Sequence, residues 1–288
     1  MAVLMEGKIV AGKIRQDLKK EADRLRKRHQ RVPKLCCLSV GANAAGSVYL
    51  KSQARACSEI GIEHSVMSLP EDIRQEDLIG AIVKLNADPL VTGIMIQCPL
   101  PDSMDLQEAA SFVLPSKDAE GIHPENLGRL VLGRERVIPC TAQACLEMLR
   151  YYQVKLYGKQ AVVVGHSPIV GKPVSLLLMK EFATTSVCHI ATSEAQKLQD
   201  YVRFAEVLIV AVGKPGVIKG DWIKPGAVVI DIGINRSGEG LVGDVEFSAA
   251  ALKASHITPV PGGVGPLTVT MLMKNVCELF KESVKTGI

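Results

Sequence analysis

Aromatic side chains are scarce in this sequence: tryptophan, tyrosine and phenylalanine together make up 4% of 288 residues. That scarcity argues against the base-stacking platforms of single-stranded nucleic-acid binders and predicts an aliphatic core. Long apolar runs are also missing. No stretch of about 18 uncharged apolar residues occurs, so no membrane span is expected. The opening MAVLMEGKIVAGKI has no basic segment followed by a long apolar one, so no signal peptide is expected. The eight cysteines, at 36, 37, 57, 98, 140, 145, 188 and 277, form no CxxC pair and no zinc spacing. With six dispersed histidines, no metal site is expected. Single thiols inside apolar runs read as small core residues in a reducing, cytoplasmic setting. Charge of one sign is lacking too: 34 Lys and Arg face 30 Asp and Glu, a net +4. Most of the excess lies in KIRQDLKKEADRLRKRHQRVPK, where acids and bases interleave at helical spacing, as on a solvated helix face. No zinc-finger or helix-turn-helix signature points to nucleic acid.

What is present is a globular composition, 47% hydrophobic and 22% charged. Apolar runs alternate with helical patterns. LCCLSV (35–40), HSVMSL (64–69) and TGIMIQ (92–97) read as strands, with helices near 47–60 and 74–86 between them. This βαβ rhythm predicts a parallel sheet covered on both faces. Pro, Gly and Asp cluster at QCPLPDSMD and LPSKDAEGIHPENLGRL, which read as breaks. The rhythm then restarts, with strands at QAVVVG (160–165), TTSVCHI, AEVLIVAVG and GAVVIDIGI. The fold class expected is α/β in two domains. The first, 1–139, is three-layered, and the final helix, 266–288, packs back on it. The second, 140–265, is Rossmann-type with a parallel sheet.

Several stretches could carry chemistry. VVVGHSPIVGKP joins a buried strand to a helix through a glycine-bearing turn, which aims backbone N–H groups at an anion. It is neither GxGxxG nor a Walker loop, because its glycines are Gly165 and Gly171 only. AVGKPG adds a second glycine turn at Gly213, again after a strand. In ITPVPGGVGPLTVTMLMKN, Gly262, Gly263 and Gly265 either admit a flat ligand close to bare backbone or cap the last helix. Gln97 stands at the exit of a buried strand. Cys98 beside it has no His or Asp partner in sequence and reads as packing. In SVYLKSQARACSEIGI, Tyr49 and Gln53 share one helical face, while Lys51 points about 200° away around the axis.

Together, VYLKSQARACSEIGI, IMIQCPLP, KDAEGIHPENLGRL, VVVGHSPIVGKP, VLIVAVGKPG, VVIDIGIN and TPVPGGVGPLTVTMLMKN resemble, in order and spacing, the bifunctional methylenetetrahydrofolate dehydrogenase/methenyltetrahydrofolate cyclohydrolase family. The resemblance covers essentially the whole chain. It implies an N-terminal folate domain, a Rossmann-type NAD(P) domain, an active site in the cleft between them and a homodimer. The implied reactions are oxidation of 5,10-methylenetetrahydrofolate to the methenyl cation and its hydrolysis to 10-formyltetrahydrofolate. By position, Tyr49 lies along the folate, and Gln97 and Gln53 fall in the catalytic cluster. Glu120, Gly262, Gly263 and Gly265 fall on the folate side. Gly165, His166, Ser167, Val170, Gly171, Lys172, Pro173, Ile190, Gly213 and Ile234 fall on the cofactor.

The resemblance has gaps. The family's motif is tyrosine, three residues, lysine, and Gln53 stands in the lysine's place. DVDG reads DAEG, with Glu120; GRS reads GHS, with His166; CHS reads CHI, with Ile190; PCTP reads PCTA, with Ala142. Hydride loss from the methylene carbon asks for orientation, whereas hydrolysis needs a group that exchanges protons. An amide cannot do that, though it can hold a water. Dehydrogenase activity is therefore expected to survive and cyclohydrolase activity to be weak or absent. Without an arginine fork for a 2′-phosphate, NAD is favoured over NADP or selectivity is relaxed. Three other readings stay open: the full bifunctional enzyme, with Glu120 as the substitute titratable group; a folate-binding paralogue without turnover; and a dehydrogenase for an altered folate-like substrate.

Overall fold

The computed structural model describes residues 2–41, 44–238 and 240–286. The chain divides into two compact units. One joins residues up to Gly12 with Thr141–Thr268; the other joins Lys13–Cys140 with residues from Val269 on. The first twelve residues thus group with the second expected domain, not the first. In chain order the first elements are β1 (Val3–Leu4), α1 (Gly7–His29), β2 (Lys34–Val40), α2 (Ala44–Ile60), β3 (Glu63–Leu69), α3 (Gln75–Ala87), β4 (Gly93–Ile96), α4 (Leu106–Ser111) and α5 (Pro124–Val131). Then come α6 (Cys140–Tyr151), β5 (Gln160–Val164), α7 (Gly171–Lys180), β6 (Thr184–Cys188), α8 (Ile190–Glu194), α9 (Leu198–Phe204) and β7 (Val207–Val210). The remainder is β8 (Val228–Asp231), β9 (Asn235–Ser237), β10 (Gly240–Val242), α10 (Phe247–Lys253), β11 (His256–Ile257) and α11 (Val264–Thr286).

In the unit of Lys13–Cys140, three parallel strands run in the order β3-β2-β4. Side chains along β2 alternate between two cores, as a period of two requires. Leu35 and Cys37 join Leu18, Cys57, Ile60, Met273 and Val276 on one face. Cys36, Leu38 and Val40 join Leu78, Ile82 and Leu85 on the other. The result is a helix–sheet–helix stack in which α11, from Val269, fills the first core. Two short helices border the breaks read at 97–105 and 114–130, α4 just after the first and α5 at the end of the second, each begun by a side-chain cap. Asp105 accepts from Gln107 and Glu108 N–H, and His123 Nδ1 accepts from Glu125 N–H.

In the other unit, six strands run β1-β11-β8-β7-β5-β6, every pair parallel. Progress reverses between β5 and β7, the switch point at which open α/β sheets bind ligands beyond their strand carboxyl ends. Val162, Val164, Leu208, Val210 and Val229 pack on α9 and α10. Val163, Ile209 and Ile230, the alternate residues, are also buried. β1, β11 and the β9–β10 hairpin did not stand out in the sequence, being two or three residues each. No helix among the described residues is long and apolar enough to cross a membrane. Six of the eight cysteines are buried, and all are free. Cys98, read as packing, is instead exposed in the loop after β4.

Candidate functional site

In the unit of Lys13–Cys140, α2 brings Tyr49 and Gln53 to one face, while Lys51 lies in solvent. Gln53 is fully buried. Its Oε1 accepts from Cys37 Sγ at 3.2 Å, and its Nε2 donates to Met95 Sδ at 3.1 Å. Gln53 also hydrogen-bonds the Tyr49 hydroxyl. Both ends of the amide are thus engaged by soft, neutral groups, so the expected water-holding role has no free polar atom behind it. Cys37 Sγ lies 3.4 Å from His64 Nε2. Burial pushes the Tyr49 hydroxyl and the Cys37 thiol well above their ordinary values and draws His64 down. The cluster is neutral at physiological pH.

Glu120 reaches the same region from the loop before α5. Asp118 builds that loop: Oδ1 accepts from Glu120 and Gly121 N–H at 3.2 and 2.9 Å, and Oδ2 from His123 N–H and Asn126 Nδ2 at 2.8 and 2.9 Å. Gly121 has φ +74°, and a Cβ there would meet Ile138 C at 2.5 Å, so glycine is required. Glu120 Oε2 accepts from Ile96 N–H at 3.1 Å. Desolvation, countered in part by that N–H and reinforced by Asp118, pushes Glu120 up to about 8. Gln97 follows β4 and is 7% exposed. Its Nε2 donates to Cys98 O at 2.8 Å, while its buried Oε1 has no partner among the described residues. Asn275 on α11 ties the far side by donating to Ala119 O and Ile138 O, each at 2.9 Å.

In the sheet unit, β5 ends at Gly165, with φ +119°, where a Cβ would sit 2.3 Å from Ala211 O at the exit of β7. A Cβ on Gly171 would sit 2.1 Å from Gly165 O. The turn is therefore bare backbone pressed against backbone, with the first turn of α7, including Lys172 and Pro173, above it. Ser167 Oγ accepts from Val170 and Gly171 N–H at 3.2 and 3.4 Å, so it braces the helix start. A dinucleotide phosphate fits this turn because a helix begins there, directly after a strand at the switch point of the sheet. His166 and His189 stand at the exits of adjacent strands with ring centroids 5.2 Å apart; Ile190 beside them is 70% exposed.

Gly213 differs. The N–H groups of Val212 and Gly213 donate to Asp244 Oδ2 at 2.7 and 2.9 Å, so they already have an acceptor. Asp244 Oδ1 accepts from Asn235 Nδ2 at 2.8 Å. Asp231, pushed up to about 6 by burial, accepts from Gly233, Asp244 and Val245 N–H. Sequence reading missed both carboxylates; the signal was a buried Asp on each side of a glycine, in DIGIN and VGDV. Asp244→Ala strands these donors and should lower unfolding stability by about 2–4 kcal/mol, checked by denaturant titration.

The resemblance divides Ile234 from Gly262, Gly263 and Gly265, giving one to the cofactor and the others to the folate. The structure brings all four to one cavity of about 240 Å³ in the sheet unit, with Asp231 and Lys8. Lys8 was not singled out in the sequence. Gly263 abuts Gly7, where a Cβ would lie 1.7 Å from Gly263 O, whereas a Cβ on Gly265 would meet only Ile234 Cδ1, at 3.9 Å.

A parallel sheet with a bare-backbone turn at its switch point, joined to a second α/β unit holding a buried, uncharged polar cluster, defines the class of two-domain α/β proteins with a nucleotide-binding sheet. The chain belongs to the tetrahydrofolate dehydrogenase/cyclohydrolase family: the family's catalytic domain matches residues 5–120 and its NAD(P)-binding domain residues 139–284. It is 47% identical over 282 residues to the bifunctional protein FolD of Geotalea uraniireducens, covering 98% of this chain and 99% of that one. Among solved structures it resembles the bifunctional FolD of Campylobacter jejuni, with a TM-score of 0.94 at 41% identity, covering 98% and 99% of the two chains. It also resembles the FolD of Trypanosoma brucei, solved with NADP cofactor and an inhibitor, with a TM-score of 0.93 at 38% identity, covering 99% of each.

Proposed function

We propose that the protein oxidises 5,10-methylenetetrahydrofolate to the methenyl cation with NAD(P)+, and that its cyclohydrolase activity is weak or lost. The unit of Lys13–Cys140 holds the folate and the sheet unit holds the dinucleotide, which supplies the hydride acceptor when bound. Tyr49 lies along the folate; Gln97 offers it a buried acceptor and Glu120 a carboxyl. The observation that carries the reading is the state of Gln53, taken to occupy the family's lysine position. It is a buried amide bonded to Cys37 and Met95, so it offers neither a titratable group nor a free polar atom to ring opening by water.

Purified protein should form NAD(P)H with methylenetetrahydrofolate while hydrolysing methenyltetrahydrofolate about 10²–10⁴-fold more slowly than relatives that use a general acid–base group. Hydrolysis at rates typical of those relatives would return the reading to the full bifunctional enzyme. Absence of NAD(P)H formation would leave a binding paralogue.

For the cofactor, we favour NAD+ or relaxed selectivity, because an imidazole and an isoleucine offer a 2′-phosphate less than a guanidinium fork. The expected kcat/KM ratio of NADP+ to NAD+ is near or below one; a strong NADP+ preference would overturn this. A homodimer is part of the proposal. β6 is an open edge flanked by Tyr157, Phe182 and Phe204, which are 80%, 70% and 56% exposed. The free buried thiols fit a reducing cytoplasm.

A further inference from the structure

We propose that Glu120 gives up a proton to solvent when a folate binds, so that affinity for the substrate rises with pH. This rests on the proposed function, which offers the Glu120 carboxyl to the folate, and it takes the pterin edge as the part of the folate that meets that carboxyl. Glu120 is held by a single described donor, the Ile96 N–H, at 3.1 Å. The groups that share its field come from every side: Tyr49 from α2, Cys37 from β2, Cys98 from the loop after β4, Cys140 at the start of α6 and Asp118 from its own loop. None of these is a cation. Asp118 turns its two oxygens to three backbone N–H groups and the Asn126 amide.

A carboxyl with one backbone donor, an Asp beside it and no cation facing it rests in its neutral form near pH 7, in keeping with its shift to about 8. A pterin's 2-amino and ring N–H edge presents two donors side by side. Paired donors favour a carboxylate, which accepts through both oxygens, over the neutral acid, which must turn one O–H away. Binding therefore ionises Glu120: the O–H bond breaks, the proton goes to solvent, and the carboxylate accepts from the ring. Below the free-protein titration each unit of pH costs a factor of ten in affinity, and above it affinity is flat.

The test is calorimetric titration of the full chain with tetrahydrofolate, held under nitrogen, between pH 6 and 9.5 in buffers of different ionisation enthalpy. The expected result is about one proton released at pH 6.5 and roughly 30-fold weaker binding there than above pH 9. E120Q should bind with no proton release and a flat profile, and E120D should recover both. Flat affinity and no proton release in the unmodified protein overturn the inference while leaving the proposed function standing. So does proton release that persists in E120Q. Failure to bind tetrahydrofolate at any pH overturns the proposed function and this inference with it.

Discussion

Gln53→Lys is expected to raise the hydrolysis of methenyltetrahydrofolate by about 10²–10⁴-fold, the usual worth of a positioned acid–base group. The environment at position 53 explains why the gain should be large. The site is closed to solvent, and its partners are the Cys37 thiol and the Met95 thioether. An ammonium brought there loses its hydration and finds, besides those partners, only the neutral Tyr49 hydroxyl, so its pKa must fall from the ordinary value near 10.4. A lysine drawn towards neutrality exchanges protons at working pH, which is what ring opening by water requires. The same burial exacts a stability cost. Trading two satisfied amide bonds for an unpaired buried charge should lower unfolding stability by about 3–5 kcal/mol, less where Glu120 ionises in response. Hydrolysis and thermal unfolding measured on one preparation check both halves. If stability falls and hydrolysis stays at its original rate, Gln53 is not what limits ring opening.

How far such a site was legible in the sequence depended on how local its causes are. The longer strands of both sheets were readable because buried parallel strands are continuous apolar runs, as in QAVVVG and LCCLSV. The glycine turn at Gly165 and Gly171 was readable because a strand and a helix flank it. The helical face shared by Tyr49 and Gln53 followed from periodicity alone. What escaped depends on residues distant in sequence. That Gln53 is satisfied by Cys37 and Met95 needs the pairing of β2 with β4 beneath α2. That Gly213 offers no free N–H needs Asp244, which returns from beyond the β9–β10 hairpin. Short helices α4 and α5 escaped notice beside and within the Pro-bearing breaks because side-chain caps, not apolar periodicity, start them. β1 and β11 are two-residue strands, too short for any pattern.

Gly171→Ala should abolish useful dinucleotide binding, weakening affinity for NAD+ and NADP+ by about 100-fold or more, as expected when a positioning element is displaced by about 1 Å. The added methyl would lie 2.1 Å from Gly165 O, 2.6 Å from Gly165 C and 2.9 Å from His166 Cα. All three are backbone, so no rotamer change relieves the overlap. Gly165 cannot retreat: its N–H donates to Cys188 O at 2.9 Å, and its own Cα side presses on Ala211 O. α7 must therefore slide outward, distorting the turn between β5 and α7 on which the phosphates are proposed to rest. Overpacking of this kind costs about 1–3 kcal/mol in stability, so a lowered melting point accompanies the loss. Gly213→Ala is the matched control. It also adds one methyl at a strand exit, but with nothing within 4 Å and φ +67°. Its cost is the left-handed backbone alone, about 1–2 kcal/mol, and its N–H serves Asp244 rather than a ligand. Affinity for the dinucleotide should fall at least tenfold more in the first variant than in the second. Equal affinities, measured by nucleotide fluorescence, would show that the phosphates do not rest on the turn between β5 and α7.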